Sequence, residues 1–325
     1  MAVLVHLLTF ILSAAVIWFF AGLLIESILK VAKRFHQSGF TVAFFVLGIL
    51  TSISEISVMV NSTIDGVPPV SAGNLAGASF VILLLIVPLV AIVGNGIKLR
   101  NTLNRKNLAV ALIAIILPAL LMLDGSVNRS EGLICIMIYV ILIYFIRNQT
   151  SQSYPSVLEV VEKELIEGRR VTAIHILKIT VGAIFIFAAG NLLVSEATYF
   201  STLLSIPSSI IGLLILSIGT NIPELVIAVR SIIKKHSEIA FGDYLGSAVT
   251  NTFIFGLLPW LNGRFLVEPT EFVGTAILMV IGFTAFYVFA RSKNKITRHE
   301  GIALILVYGI FVIIQIMNFI RFATD

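Results

Sequence analysis

The chain has 325 residues, of which 58% are hydrophobic and 12% are charged, and its mean hydropathy is +1.06. This composition excludes a soluble globular protein, because the chain lacks the polar surface that keeps a globule dispersed in water. The net charge of +5 comes from short basic clusters between apolar runs rather than from one patch, which argues against a nucleic-acid partner.

The predicted elements are ten apolar runs in two groups of five, most of them roughly 20 residues long, as a membrane-crossing helix requires. Runs of this length favour helices over the short alternating strands of a membrane β-barrel. The sequence therefore predicts an all-α polytopic membrane protein with ten transmembrane helices in the lipid bilayer. The runs lie near residues 3–29, 40–62, 72–97, 107–123, 131–146, 173–196, 207–233, 239–260, 270–290 and 300–320.

The basic residues fall almost wholly on one side of this predicted topology. Of the 22 Lys and Arg, 18 lie in connections on one side, Lys178 lies inside a run, and the other side has only Arg129, Arg264 and Arg321. By the positive-inside rule the basic side is cytoplasmic, so both termini are predicted to face outward.

A polar stretch at 147–172 divides the chain into a first half, 1–146, and a second half, 173–325. The stretch is predicted to be a cytoplasmic linker, because it is too short to form a folded regulatory domain. Since no long regulatory loop is present, we expect the membrane to be the plasma membrane of a prokaryote.

The two halves carry the same motif at an offset of 169 residues. Leu-Gly-Ile-Leu-Thr-Ser-Ile-Ser-Glu at 47–55 aligns with Leu-Ser-Ile-Gly-Thr-Asn-Ile-Pro-Glu at 216–224. Glu55 therefore matches Glu224. The same offset, without a gap, aligns Gly73-Asn74 with Gly242-Asp243. A single alignment register that matches two separate sequence blocks is hard to obtain by chance.

The odd number of spans in each half makes the second copy enter the membrane from the opposite side. The sequence therefore predicts two inverted five-helix repeats, with their motifs at 47–82 and 216–251. Transporters commonly have this architecture, and their ion site lies near the midplane, where the two repeats face each other.

Glu55 and Glu224 are the strongest site candidates, since each lies midway along an apolar run, where a carboxylate persists mainly beside a cavity or a partner. The polar residues before each of them favour broken helix whose freed carbonyls can point at a cation. Such a hard-oxygen site suits Ca²⁺, with Na⁺ as a rival, and no Cys or His pattern favours a softer metal. The alternative is a structural carboxylate, protonated or paired with Lys178.

A polar stripe in the second repeat recurs every four residues and is predicted to turn toward the carboxylates. The equivalent positions of the first repeat are mostly apolar, and ordinary helix packing through small and polar residues is the alternative explanation. The stripe consists of Asp243, Ser247 and Asn251, and its first-repeat equivalents are Asn74, Ala78 and Ile82.

The two motifs resemble the α-repeats of the Ca²⁺:cation antiporter superfamily, and above all those of its Na⁺/Ca²⁺ exchanger branch. Those repeats read roughly Gly-Thr-Ser-x-x-Glu, followed by Gly-Asn-x-x-Gly-Ser-Asn-x-x-Asn or Asp. The second repeat matches with Gly-Thr-Asn-Ile-Pro-Glu at 219–224 and Gly-Asp-Tyr-Leu-Gly-Ser-Ala-Val-Thr-Asn at 242–251. The first repeat has Leu50 in place of the first Gly, and it keeps Thr51, Ser52, Glu55, Gly73, Asn74 and Gly77.

The resemblance implies a secondary antiporter that exchanges Ca²⁺ for Na⁺ by alternating access, with transported ions in place of cofactors. It implies that Ca²⁺ is coordinated by Glu55 and Glu224 together with the carbonyls of Thr51 and Thr220. It also implies Na⁺-binding or supporting roles for a second group, which consists of Ser52, Asn221, Asp243, Ser247 and Asn251.

Three departures from the family pattern leave the counter-ion open. Ala78 and Ile82 stand where the family usually has Ser and Asn or Asp, and Asn221 replaces a Ser. At least one sodium site is expected to be weakened, so proton coupling through the two glutamates is an alternative for Ca²⁺ or another divalent cation. A cation channel and an inactive homologue are further, less favoured alternatives.

Enzymatic activity is not expected from this sequence. It contains no Gly-rich phosphate loop, Ser-His-Asp set or HExxH helix. The single cysteine, Cys135, lies inside an apolar run, so neither a disulfide framework nor a thiolate metal site is expected.

Overall fold

The computed structural model describes residues 2–32, 44, 48–98, 105–147, 170–221, 224–225, 237–292 and 295–324. Almost all of these residues are helical, and within them seven helical segments are long and apolar enough to cross a membrane. The prediction of an integral, multi-pass, helical membrane protein is therefore confirmed. The predicted linker at 147–172 lies almost entirely outside the described residues. The seven segments are Val3–Phe20, Pro68–Val93, Arg105–Asp124, Arg129–Ile146, Thr180–Leu204, Pro269–Ser292 and Arg298–Met317.

The helices of the first half are shorter around its motif than elsewhere. They are α1 (Ala2–Ala32), α2 (Gly48–Thr51), α3 (Ile53–Ile64), α4 (Pro68–Val81), α5 (Val87–Val93), α6 (Arg105–Leu121) and α7 (Arg129–Arg147). A π-helical turn at Ile82–Ile86 joins α4 to α5, and a 3₁₀ turn at Met122–Asp124 follows α6.

The second half also contains both short and long helices. They are α8 (Arg170–Leu204), α9 (Ser208–Ile211), α10 (Ser217–Thr220), α11 (Ser237–Asn262), α12 (Pro269–Ser292) and α13 (Arg298–Thr324). A π-helical turn at Gly212–Leu216 joins α9 to α10.

Each motif helix is interrupted at the same repeat position. α2 ends at Thr51 and α3 begins at Ile53, so Ser52 lies in the break with φ −76° and ψ 8°. α10 ends at Thr220, and Asn221 follows with φ −91° and ψ 10°. Ser52 and Asn221 differ by the repeat offset of 169, and both have the bridge conformation that ends regular helix. The broken helices lie where the polar motifs predict them.

Two short antiparallel ribbons join the two halves, which the apolar pattern does not predict. The strands are β1 (Ile97–Lys98), β2 (Ser126–Val127), β3 (Phe265–Leu266) and β4 (Lys295–Ile296). β1 pairs with β4 and β2 pairs with β3, so each ribbon takes one strand from each half. Their main-chain hydrogen bonds fix the helix ends of one half to those of the other.

Two glycines allow the motif helices of opposite halves to cross in close contact. A Cβ atom at Gly77 would clash with the carbonyl oxygen of Leu213, and one at Gly246 would clash with that of Phe44. Both the glycines and their carbonyl partners are related by the offset of 169. The same backbone contact therefore occurs twice, once for each repeat.

Candidate ion-binding site

The structure brings the two motif glutamates together at the centre of the helical core. Glu55 and Glu224 are fully buried, and each follows its helix break by three residues. Glu224 is close enough to Glu55 and to Asp243 for each of these two carboxylates to repel it electrostatically. Asp243 is also fully buried.

Each glutamate accepts a hydrogen bond from a nearby serine on one oxygen and has a second oxygen available. The Ser54 hydroxyl donates to Glu55 Oε2 at 2.8 Å, and the Ser247 hydroxyl donates to Glu224 Oε1 at 3.2 Å. Glu55 Oε1 and Glu224 Oε2 are buried and hydrogen-bond to none of the described residues. Buried acceptors without donors are costly, and a cation would satisfy both of them.

The main-chain carbonyls of both helix breaks face the same small volume. The Ser54 hydroxyl lies 3.3 Å from the carbonyl oxygen of Thr51 and 3.1 Å from that of Thr220. Both threonines are fully buried. Because one side chain reaches both carbonyls, the two breaks present their oxygens beside Glu55.

The threonine side chains make equivalent contacts across the two repeats. The Thr220 hydroxyl donates to Asn74 Oδ1 at 3.3 Å, and the Thr51 side chain lies beside the Asp243 carboxylate. Thr51 and Thr220 differ by 169 residues, and so do Asn74 and Asp243. Thr220 of the second half therefore contacts α4 of the first half, and Thr51 of the first half contacts α11 of the second half.

Further buried polar groups complete the surroundings of the carboxylates. The Ser52 and Ser247 hydroxyl oxygens lie 3.3 Å apart. The Asn221 amide donates to the Ser217 carbonyl at 2.6 Å, while Asn221 Oδ1 and Asn251 Oδ1 hydrogen-bond to none of the described residues. These amide oxygens add neutral acceptors to the two charged ones.

All nine residues that the sequence singles out are buried, at 1% exposure or less. Lys178 is exposed and forms no ion pair with Glu55 or Glu224, which argues against a structural pair with that lysine. The nine are Thr51, Ser52, Glu55, Thr220, Asn221, Glu224, Asp243, Ser247 and Asn251.

Sequence reasoning missed three buried polar residues that form hydrogen bonds between helices. The Ser57 hydroxyl donates to the Ile186 carbonyl at 3.1 Å, and the Asn61 amide donates to the Phe187 carbonyl at 3.2 Å. Their spacing of four residues within an apolar run was an available signal. Ser79, which contacts Asn251 at 3.4 Å, follows Ala78 directly and has no such pattern.

The donor set consists of hard oxygen ligands. Within the described part of the chain, no three His, Cys, Asp or Glu side chains converge closely enough to hold a metal by themselves. A cation here would therefore need hydroxyl, amide and main-chain oxygens as well as carboxylates. Such ligands suit alkali and alkaline-earth cations.

Comparison with known families and proteins gives a consistent result. The family described as sodium/calcium exchanger protein matches residues 5–147 and 174–317. An uncharacterized membrane protein of Methanocaldococcus jannaschii is 24% identical over 280 residues, which is 86% of this chain and 87% of that protein. The sodium/calcium exchanger MaX1 of Methanosarcina acetivorans is 32% identical over 152 residues, which is 46% of this chain and 43% of that protein.

A solved structure shares the fold over nearly the whole chain. The sodium-calcium exchanger NCX_Mj, soaked with Na⁺ and Sr²⁺, superposes with a TM-score of 0.66 at 21% identity. The match covers 94% of this chain and 97% of that one. The likeness is one of fold.

Proposed function

This chain belongs to the sodium/calcium exchanger protein family, and from that premise we propose that it is a secondary antiporter that exchanges Ca²⁺ for Na⁺ across a membrane. The proposed site lies between Glu55 and Glu224, and the ions reach it from the two sides alternately. The function is transport rather than catalysis. The observation that carries the proposal is the pair of buried carboxylate oxygens, Glu55 Oε1 and Glu224 Oε2, beside two main-chain carbonyls.

In this proposal the protein's own residues divide into two groups. Glu55 and Glu224 coordinate Ca²⁺ together with the carbonyl oxygens of Thr51 and Thr220. A second group binds Na⁺ or supports the first, and it consists of Ser52, Asn221, Asp243, Ser247 and Asn251.

Electrostatics explains why such a site would exchange ions rather than leak them. Without a cation, Glu224 is repelled by Glu55 and by Asp243, and one oxygen of each glutamate lacks a donor, so the ion-free site is poorly suited to cross the low-dielectric interior. Ca²⁺ and the counter-ion each neutralise the carboxylates but compete for them. The protein therefore switches the side of the membrane from which the site is accessible only when one of the two ions occupies the site.

We further propose that the chain has ten transmembrane helices arranged as two inverted repeats. The breaks at Ser52 and Asn221, and the backbone contacts at Gly77 and Gly246, support the repeat through a shared offset of 169. In this topology both termini face outward, the 147–172 linker is cytoplasmic, and the membrane is a prokaryotic plasma membrane.

Cysteine accessibility tests this topology. Asp124 and Arg105 are both exposed, and Cys135 is fully buried and should not react. A membrane-impermeant thiol reagent applied to intact cells should label the Asp124→Cys variant and leave Arg105→Cys unlabelled until the membrane is opened. The reverse pattern would contradict the orientation.

A proton-coupled exchanger of Ca²⁺ or another divalent cation is the second candidate. The buried apolar side chains of Ala78 and Ile82 favour it, because they provide no oxygen for an additional Na⁺. Protonation of the two glutamates would then replace Na⁺ binding. A channel would conduct without a counter-ion, and an inactive homologue would show no flux.

The decisive experiment is ⁴⁵Ca²⁺ uptake into proteoliposomes, driven separately by an outward Na⁺ gradient and by a proton gradient. Uptake that requires internal Na⁺ and is lost in the Glu224→Gln variant supports the proposal. Glu271→Gln is the matched control, because Glu271 is a buried carboxylate outside both motif sequences that accepts a hydrogen bond from Ser209. Uptake driven only by protons supports the second candidate, and no uptake under either gradient from folded protein contradicts both.

A further inference from the structure

The two repeats place a buried serine at neighbouring, not identical, positions. At the offset of 169, Ala78-Ser79 aligns with Ser247-Ala248, so alanine and serine exchange places. All four side chains are buried. Successive residues of an α-helix point about 100° apart around its axis, so the two hydroxyls face different neighbours.

Ser247 contacts a carboxylate directly, whereas Ser79 contacts another site residue. The Ser247 hydroxyl donates to Glu224 at 3.2 Å. The Ser79 hydroxyl donates to the Leu75 carbonyl at 3.1 Å, and its oxygen accepts a hydrogen bond from Asn251 Nδ2 at 3.4 Å. The Ser79 hydroxyl also lies 3.4 Å from the main-chain carbonyl oxygen of Ala248, and Asn251 is the site residue that it contacts directly.

This contact fixes the direction of the Asn251 amide. A side-chain amide carries its donor and its acceptor on opposite branches, so holding the nitrogen also orients the oxygen. The reversed amide would place an oxygen against the Ser79 hydroxyl, whose proton already has the main-chain carbonyls of Leu75 and Ala248 as acceptors. Asn251 Oδ1 is buried and hydrogen-bonds to none of the described residues, which leaves it available to a cation.

We propose that Ser79 is a positioning residue that holds the Asn251 amide with its oxygen directed toward the ions. The chain thereby keeps one oriented amide oxygen as a cation ligand while it lacks a direct hydroxyl at position 78. The ligand class is an alkali or alkaline-earth cation beside the carboxylates. This inference rests on the proposed function, because it assigns a role at the same site.

The first test compares ion dependence in the Ser79→Ala and Ser79→Thr variants. We expect Ser79→Ala to raise the apparent KM for the transported cations roughly threefold to tenfold, the size of one hydrogen bond, with kcat little changed. Ser79→Thr keeps the hydroxyl and should restore the KM. An unchanged KM, or a loss of folded protein and kcat alone, would show that Ser79 only packs and would overturn the inference.

A double-mutant cycle with Asn251→Asp separates positioning from packing. An aspartate has no N–H to donate to Ser79, so Ser79→Ala should have little additional effect on the KM in that background. Additive effects would contradict a role through the Asn251 nitrogen. The exchange variant Ala78→Ser/Ser79→Ala, which copies the second repeat, should steepen the dependence of uptake on the counter-ion by adding a direct ligand.

Cation-dependent thermal stability decides the inference even without Ca²⁺ transport. Each variant is melted in Ca²⁺, Na⁺, K⁺ or Mg²⁺, and the wild-type shift in Tm identifies which cations bind. Ser79→Ala should reduce the shift for those cations, and Ser79→Thr should retain it. If wild type transports Ca²⁺ but Ser79→Ala binds normally, only the inference fails, whereas the absence of any cation shift overturns both it and the proposed function.

Discussion

The Ser54 hydroxyl lies 3.1 Å from the main-chain carbonyl oxygen of Thr220, although the two residues are 166 positions apart in the chain. The same hydroxyl lies 2.8 Å from Glu55 Oε2. It has one proton and therefore serves one acceptor at a time. Ser54 thus links a carboxylate of the first half to a carbonyl of the second at the position that we propose for Ca²⁺.

We expect Ser54→Ala to destabilise the ion-free protein more than the Ca²⁺-bound protein. Loss of the hydroxyl leaves buried acceptors without a donor, which costs about 1–3 kcal/mol. Ca²⁺ would supply positive charge to the same oxygens. The Tm in EGTA should therefore fall, and the increase in Tm on adding Ca²⁺ should exceed that of wild type.

Ser62→Ala is the control for this variant, because Ser62 is buried on the same helix and its hydroxyl donates to the Met59 carbonyl. For Ser62→Ala, the increase in Tm on adding Ca²⁺ should equal that of wild type. An equal drop in Tm with and without Ca²⁺ for Ser54→Ala would indicate that the hydroxyl is purely structural.

Ser247→Ala should weaken the binding of the counter-ion more than the binding of Ca²⁺. The Ser247 hydroxyl lies 3.3 Å from that of Ser52 and donates to Glu224. Neutral hydroxyl oxygens are a large share of the ligands of a monovalent ion, whereas Ca²⁺ depends mainly on the carboxylates. The KM for internal Na⁺ in Na⁺-driven ⁴⁵Ca²⁺ uptake should rise by about tenfold, roughly the contribution of a hydrogen bond to a charged group.

Two further variants test whether the hydroxyls act as a unit. The effect of Ser52→Ala should not add to that of Ser247→Ala, because each removes one side of the same contact. Thr250→Val serves as the control, since the Thr250 hydroxyl donates to the Gly246 carbonyl within its own helix. Equal increases in the KM for Na⁺ and for Ca²⁺ would argue against a distinct counter-ion role.

The sequence predicts the charged centre of the site well. Glu55 and Glu224 are conspicuous because a carboxylate in the middle of an apolar run needs a specific reason, and the repeat offset pairs them. The breaks at Ser52 and Asn221 follow from local polar residues. These features are encoded within a few neighbouring residues, so no knowledge of packing is needed to find them.

The contacts between halves could not be predicted in the same way. Whether a hydroxyl such as Ser79 faces a carboxylate or Asn251 depends on the rotation of its helix against the partner helix. The π-helical turn at Ile82–Ile86 changes that rotation, because it inserts extra residues into a turn without a signal in the apolar pattern. The two-residue ribbons are likewise set by the packing of helix ends.

Alanine at Gly77 or Gly246 should destabilise the fold to a similar extent. The added methyl group would clash with the carbonyl oxygen of Leu213 or Phe44, and overpacking of this kind typically costs about 1–3 kcal/mol. Thermal scanning of detergent-purified protein measures the change. Gly309→Ala is the control, because a Cβ atom there meets nothing within 4 Å. A loss of stability at Gly309 as large as at the other two would contradict the argument.

Replacement of Asp243 by asparagine should stabilise the ion-free protein and weaken its response to Ca²⁺. Asp243 is fully buried and repels Glu224, and the equivalent residue of the first repeat is already Asn74. Removing one of two like charges in the interior relieves on the order of 1 kcal/mol of repulsion. It also removes negative charge that attracts a cation. The Tm in EGTA should therefore rise, while the increase in Tm on adding Ca²⁺ should shrink.

The exposed Asp65 at the end of α3 provides the matched control. Asp65→Asn should change neither the Tm in EGTA nor the increase in Tm on adding Ca²⁺. A lower Tm in EGTA for Asp243→Asn would mean that its contact with Thr51 outweighs the repulsion from Glu224. An unchanged Ca²⁺ response would remove Asp243 from the site. The expected pair of opposite changes would instead mean that the second repeat gives up stability for cation affinity at a position where the first repeat does not.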